Sequence, residues 1–196
     1  RAHRITVVEK SRRIGITWAF AAEAVRTAAA SAKSGGSDFH YLGYKEELAA
    51  EFIRECKNWA SIIGILAGIE EEEDLVEADT TLKLRFPSGF EIVGHSGNPR
   101  SLRGRGGRVL IDEAAFHEDL DAAIEAAVAL TMWGATVAVV STHYGVDNPF
   151  KTLVDDVRAG KRGSGATVVR LPLDRAVRDG VYRRICEKTG KAWSPE

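Results

Sequence analysis

Short runs of aliphatic and β-branched residues alternate along the chain with longer helical segments, and this alternation most constrains the fold. Strands are predicted at 5–8, 39–44, 109–111, 136–140 and 167–171. Helices are predicted at 17–32, 45–63, 117–133, 149–159 and 175–189. Strands that alternate with helices favour an α/β domain with a mainly parallel sheet and right-handed crossovers.

The alternation is interrupted between residues 64 and 108. Residues 82–86 and 90–93 flank Pro87-Ser88-Gly89 and predict a β-hairpin with one apolar face. The acidic run 70–74 is interpreted as a solvated loop or helix end rather than a metal cluster. No linker or internal repeat divides the chain, so we expect residues 1–196 to form a single domain.

Composition restricts the function further. The 196 residues carry a net charge of −1, so the chain lacks the global basic excess of many nucleic-acid-binding proteins, although a local basic patch remains open. Cys56 and Cys186 form no disulfide framework or metal-ligand spacing, which favours a reduced intracellular compartment. No apolar run reaches the ~18 residues of a membrane span. Because the chain opens with Arg1 almost directly before a strand, we expect it to be a fragment or an engineered domain whose natural start lies upstream.

The segment between the first strand and the first helix is a candidate phosphate-binding loop. It comprises Lys10, Ser11, Arg12, Arg13, Ile14, Gly15, Ile16 and Thr17. Gly15 allows a close approach of the backbone to an anion, and the Thr17 hydroxyl at the helix start is suited to bind Mg²⁺. The usual G-x-x-x-x-G-K-[ST] pattern is broken, because Ile16 replaces its lysine and Lys10 its first glycine. An ordinary strand-to-helix turn with two solvated arginines is the alternative.

Asp112 and Glu113 follow the apolar run 109–111 and are typical of a Walker B strand end. In that arrangement Asp112 holds Mg²⁺ through water, and Glu113 orients and polarises the attacking water. Neighbouring residues of a strand point to opposite faces, so the two carboxylates can have different tasks.

Two further segments carry polar residues close to these strand ends. Ser141, Thr142 and His143 end the next strand and are suited to sense a γ-phosphate, although a Ser/Thr turn is the alternative. The loop 98–108 contains four arginines, among them Arg103 and Arg105. Arginine near a γ-phosphate stabilises the charge of the transition state, but the same loop could bind a nucleic-acid backbone or be mobile.

Taken together, these segments resemble the ATPase domain of phage large terminases, and most closely that of Mu-like phages and prophages. The resemblance covers essentially the whole chain and rests on residues 9–18, 98–104, 109–116, 141–143 and 173–182. It implies a P-loop NTPase fold of the RecA-like (ASCE) type with a β-hairpin insertion. It also implies ATP hydrolysis that drives double-stranded viral DNA into a procapsid. Some terminases carry the Walker A lysine at the front of the loop, which matches Lys10.

The resemblance also assigns roles, cofactors and partners. ATP and Mg²⁺ are the implied cofactors, with Thr17 and Asp112 serving Mg²⁺, Glu113 catalytic, and residues 141–143 acting as the coupling motif. Arg103 and Arg105 are the arginines expected to act on ATP, in cis or in a neighbouring subunit. The implied partners are double-stranded DNA, the portal protein, the small terminase subunit and further copies of the subunit in a ring, with no membrane partner. The implied location is the cytoplasm of a bacterial host.

Two expectations and two open alternatives complete this interpretation. The C-terminal nuclease domain of large terminases is absent from residues 1–196, so nuclease activity is not expected. The isolated domain is expected to be mostly monomeric. Two other classes stay open: a motor lobe of a superfamily-two helicase or translocase, and a catalytically decayed nucleotide-binding module kept for interaction with another subunit.

Overall fold

A computed structural model of the chain describes residues 4–65, 68–76, 79–102 and 106–194. Within these residues, eight strands form one sheet in the order β3-β4-β5-β2-β6-β7-β1-β8. The strands are β1 (Ile5–Lys10), β2 (Phe39–Gly43), β3 (Glu70–Val76), β4 (Asp79–Arg85), β5 (Glu91–Ser96), β6 (Arg108–Ile111), β7 (Thr136–Ser141) and β8 (Ala166–Leu171). Neighbouring strands are parallel along the part of the sheet with the order β5-β2-β6-β7-β1-β8. At the other end, β3 pairs with β4 and β4 pairs with β5 in antiparallel direction. The predicted mainly parallel α/β sheet with a hairpin insertion is confirmed.

The hairpin and the acidic run lie together at one edge of this sheet. β4 and β5 pair in antiparallel register, and the Phe86 N–H donates to the Phe90 carbonyl at 2.9 Å to close the connecting turn. The prediction of a loop or helix end at 70–74 is wrong, because this segment forms the edge strand β3 paired with β4. Repeated acidic residues suit an edge strand, since like charges discourage further strands from adding to it.

Helices cover both faces of the sheet. They are α1 (Ile16–Ala29), α2 (Glu46–Ile62), α3 (Leu120–Thr131), α4 (Pro149–Arg158), α5 (Leu173–Arg178) and α6 (Val181–Thr189). Buried residues of α1 and α2 form one core cluster with Val8 and Val140, and those of α3 and α4 form a second with Val7 and Val139. Adjacent residues of β1 and β7 thus face opposite helical layers, as strand geometry requires.

Two predicted helices differ from the structure at their ends. The predicted helix at 117–133 begins three residues later, because the Asp119 side chain caps α3 by accepting the Ala122 N–H at 2.9 Å. The predicted helix at 175–189 is two helices, separated at Gly180, whose φ of 95° is left-handed. Among the described residues, no helix has the length and apolar character needed to cross a bilayer.

The strand order sets the position of the polar clusters. β6, β7 and β1 are consecutive neighbours in the sheet and run parallel. The carboxyl ends of these three strands therefore lie side by side and form the carboxyl edge of the sheet, where ligands of α/β sheets bind. This edge is distinct from the lateral edge formed by β3. The carboxyl edge holds the segment after Lys10, the carboxylates after Ile111 and the polar residues that end β7.

Candidate functional site

The loop between β1 and α1 leaves the N-terminus of a 14-residue helix open to an anion. Gly15 is its N-cap residue, with φ of 79°, and no side chain caps the helix or places an acidic group in its first turn. The first N–H groups of a helix have no intrahelical acceptor and carry a partial positive charge. Arg13 also has a left-handed backbone, with φ of 57°. This backbone geometry fits a loop that curls around an anion.

Thr17 and Asp112 meet although they belong to different elements. The Thr17 hydroxyl in the first turn of α1 donates to Asp112 Oδ2 at 2.8 Å, and the Glu113 N–H donates to Asp112 Oδ1 at 2.9 Å. The Tyr41 hydroxyl on β2 lies 3.3 Å from the same Oδ2. Each oxygen of this buried carboxylate therefore has a protein donor, which fixes its orientation.

Burial disfavours the charge of Asp112. Desolvation raises the pKa of Asp112 above its ordinary value, while the Thr17 hydrogen bond and the Lys10 charge partly oppose that effect. Burial also raises the pKa of Tyr41, with the Asp112 charge adding to the effect, so Tyr41 stays a neutral hydrogen-bond donor. A bound cation stabilises the charged form of a carboxylate that is buried away from water.

Lys10 and Glu113 form an ion pair on the face of the sheet that also holds Thr17 and Asp112. The prediction that the two neighbouring carboxylates point to opposite faces is therefore wrong, because β6 ends at Ile111 and Glu113 has a left-handed backbone, with φ of 48°. Lys10 Nζ lies 2.7 Å from Glu113 Oε1, with 4% of the lysine side chain and 28% of the glutamate side chain exposed. Ile16, at the position of the conventional lysine, packs instead against the core cluster of α1 and α2. Arg12 and Arg13 are exposed. Lys10 is thus placed beside the carboxylates, and its flexible stem allows it to move its charge.

The polar end of β7 is joined to its neighbours on the other face of the sheet. The Ser141 hydroxyl accepts the Ala115 N–H at 3.0 Å, and Thr142 is buried. His143 Nε2 lies 2.6 Å from Glu9 Oε1, and Arg158 at the end of α4 pairs with the second oxygen of Glu9. The segment 141–143 is therefore in contact with the end of β1 and with the short 3-10 helix Ala114–Phe116 that follows β6.

Arg103 and Arg105 lie outside the described residues. Sequence reasoning missed Tyr41 and Arg158 and assigned no role to Glu9, although Glu9 begins the segment 9–18; all three touch the site through side chains. The position of Glu9 directly before Lys10 was the one available signal, whereas Tyr41 and Arg158 carry no motif.

The residues present fit a Mg²⁺-bound polyphosphate. Thr17 and Asp112 offer oxygen ligands, which Mg²⁺ prefers, and the open N-terminus of α1 with Lys10 suits the phosphates. In the described part of the chain, no cluster of three or more His, Cys, Asp or Glu side chains could hold a metal ion. Mg²⁺ at such a site takes one or two protein ligands and completes its shell with phosphate and water, which matches the pair found.

The fold is that of phage large terminase ATPase domains. The ATPase domain of the Thermus phage P74-26 large terminase superposes with a TM-score of 0.60 at 14% identity, covering 100% of this chain and 85% of that domain. The HK97 bacteriophage large terminase gives a TM-score of 0.60 at 14% identity, over 87% of this chain and 35% of that protein. At this identity the likeness establishes the fold.

Sequence similarity narrows the resemblance to Mu-like proteins. The chain is 46% identical to the Mu-like prophage FluMu protein gp28 of Haemophilus influenzae, over 98% of this chain. It is also 46% identical to the probable terminase large subunit gp28 of Escherichia phage Mu, again over 98% of this chain. The chain spans 38% and 36% of the lengths of these relatives. No family model matches the chain. The resemblance to Mu-like large terminase proteins is thus confirmed.

Proposed function

We propose that this chain is the ATPase domain of a DNA-packaging motor, which hydrolyses ATP to move double-stranded viral DNA into a procapsid. The observation that carries the proposal is the meeting of Thr17 with Asp112, and of Lys10 with Glu113, at the open N-terminus of α1. Hydroxyl, carboxylate and cation at a helix start are the groups that bind Mg²⁺-nucleotide.

Residues 10–17 bind the phosphates. The N–H groups at the start of α1 donate to phosphate oxygens, and Lys10 supplies the cation that Ile16 cannot. Thr17 and Asp112 would hold Mg²⁺, directly or through water, and the metal ion would supply charge compensation for the phosphates. Tyr41 donates to the oxygen of Asp112 that also receives the Thr17 hydrogen bond, so it holds that carboxylate in place.

Glu113 acts on the attacking water. Without nucleotide, its Oε1 accepts a hydrogen bond from Lys10. When phosphates draw Lys10 towards them, this carboxylate oxygen becomes free to accept a proton from water. The partial exposure of Glu113 leaves it a path to water, in contrast to the buried Asp112. The two neighbouring carboxylates therefore divide into a water-polarising group and a metal-binding group.

The remaining roles follow the terminase assignment. Ser141, Thr142 and His143 couple the state of the phosphates to movement, and Arg103 or Arg105 stabilises transition-state charge, in cis or from a neighbouring subunit. The partners are double-stranded DNA, the portal protein, the small terminase subunit and further copies of the subunit in a ring. The site of action is the cytoplasm of the bacterial host.

The decisive experiment replaces Glu113 with glutamine in a full-length large subunit carrying this chain, assembled with portal and DNA. Glu113→Gln keeps the hydrogen bond to Lys10 but cannot take a proton from water. We expect ATP binding to be retained and turnover to fall by about a hundredfold or more. Glu118→Gln is the matched control, because Glu118 is exposed and lies outside the site.

Normal turnover of Glu113→Gln in the assembled complex would contradict the assignment. If the wild-type protein neither binds nor hydrolyses ATP under these conditions, the domain is instead a decayed module that serves interaction with other subunits. Hydrolysis that is stimulated by DNA without portal would favour a helicase or translocase lobe.

A further inference from the structure

Glu9 and Lys10 are consecutive residues of β1 that point to opposite faces of the sheet. Lys10 reaches Glu113 on the face that also holds Thr17 and Asp112. Glu9 faces the layer of α4, as does Val7 two residues earlier in the strand. A displacement of the end of β1 therefore changes side-chain contacts on both faces of the sheet at the same time.

Glu9 is a buried carboxylate that joins two separate elements. Its side chain is 9% exposed, and its Oε1 lies 2.6 Å from His143 Nε2. Its Oε2 pairs with the guanidinium of Arg158 at the end of α4. The ring of His143 lies 5.6 Å, centroid to centroid, from that of Phe150 in the first turn of α4. Glu9 thus connects the β1 end with His143 and with the last residue of α4, and His143 in turn lies against the first turn of α4.

Burial makes these connections obligatory. A carboxylate removed from water is costly unless both oxygens keep strong donors, and loss of one partner leaves charge uncompensated. When β1 moves, His143 and Arg158 must move with it, because otherwise the buried Glu9 carboxylate loses a hydrogen-bond donor at a cost in free energy. Charge-assisted hydrogen bonds of this kind are also the stronger and shorter class.

We propose that Glu9 is a positioning residue, which transmits the state of the phosphate-binding strand to the coupling segment 141–143 and to α4. This inference rests on the proposed ATPase function and adds a residue to it. Glu9 does not touch nucleotide, because its side chain lies on the other face of the sheet from Lys10. Its contribution is the alignment of His143 with the strand that carries Lys10.

The test compares nucleotide affinity with turnover in a full-length large subunit carrying this chain. The variants are Glu9→Gln, His143→Ala and the double variant, with Glu23→Gln as the control. Glu23 also pairs with an arginine, Arg108, but lies in the middle of α1 away from the site. Turnover is measured with portal and DNA, and affinity by titration with a fluorescent ATP analogue.

We expect Glu9→Gln to lower kcat by about tenfold with an unchanged dissociation constant for nucleotide, and Glu23→Gln to change neither. His143→Ala should reproduce the loss, and the double variant should be no slower than the slower single variant, because both changes break one connection. A merely structural role would instead raise the dissociation constant along with the loss of turnover.

Several outcomes would overturn the inference. They are normal kcat in Glu9→Gln, a dissociation constant that rises in proportion to the loss, and losses that multiply in the double variant. If Glu9→Gln does not fold, His143→Ala and Arg158→Ala replace the pair, and multiplying losses again refute the proposal. A wild-type protein without turnover would refute both this inference and the proposed function, whereas normal turnover in Glu9→Gln would refute the inference only.

Discussion

Lys10→Met tests whether the cation for the phosphates comes from the front of the loop. Methionine replaces the apolar stem of the Lys10 side chain, which is 4% exposed, with one of similar size, and it removes the charge. The ligand-free protein should lose little stability, within about 1 kcal/mol, because Glu113 is partly exposed and can be hydrated after its partner is removed. The main effect is therefore expected on nucleotide binding.

The magnitude follows from the contact that Lys10 already makes. A hydrogen bond between charged groups contributes about 1.5–3 kcal/mol. In the wild-type protein, nucleotide must compete with Glu113, which holds Lys10 Nζ at 2.7 Å. The net contribution of Lys10 to nucleotide binding should thus lie at the lower end of that range. A loss of about 1.4 kcal/mol corresponds to a tenfold higher dissociation constant for the Lys10→Met variant. Turnover should fall as well, because the β- and γ-phosphates lose charge compensation.

The assay is titration of Mg²⁺-ATP by calorimetry, with thermal unfolding as the check on folding. Arg13→Ala is the comparison variant, because Arg13 belongs to the same loop but is exposed, and it should weaken ATP binding less than Lys10→Met does. Ile16→Lys in the Lys10→Met background should recover part of the loss if both positions reach the same phosphates. Unchanged affinity in folded Lys10→Met, together with a loss in Arg12→Ala, would refute the displaced-lysine argument and assign the role to Arg12.

Two further predictions concern the buried carboxylate. Tyr41→Phe keeps the stacking on Phe52 (centroids 4.2 Å apart) but removes a donor to Asp112, so the Mg²⁺ concentration for half-maximal turnover should rise in a metal titration; an unchanged midpoint would show that Tyr41 does not hold the carboxylate. Burial raises the pKa of Asp112 in the folded protein above its value in the unfolded chain. At a pH between these two pKa values the folded protein therefore binds more protons than the unfolded chain, and above the folded pKa the full free-energy cost of burying the charged carboxylate destabilises the fold. Asp112→Asn should therefore be more stable than the wild type at pH 7 in urea denaturation, with the difference shrinking as the pH falls through the folded pKa, although turnover is lost; equal stability at every pH would contradict the predicted burial cost.

Most helices and strands follow from local pattern. The β-branched run at 5–8 lies in β1, and the apolar stripe of Leu48, Phe52, Cys56 and Trp59 lies on α2. Such periodicity reflects the burial of one face, which a chain segment carries in its own residues. The edge strand β3 was mispredicted, because its acidic residues have little strand propensity and its pairing with β4 supplies the backbone hydrogen bonds.

The chemistry of the site was accessible for a related reason. Gly15, Thr17, Asp112 and Ser141 stand at the ends of predicted elements, and parallel strands bring such ends to one edge. The roles proposed for them rest on residue type and on the order of elements. The sequence therefore determined which edge of the sheet carries the site and which residue types stand there.

Only the tertiary structure decided which of these side chains meet. Lys10 and Glu113 are 103 residues apart, and Glu9 and Arg158 are 149 apart. Their contacts depend on the strand order β6-β7-β1 and on which face of β1 each residue occupies. Tyr41 reaches Asp112 because β2 pairs with β6. Pairings between distant strands are set by the packing of the whole domain, since the backbone of each strand would pair equally well with others.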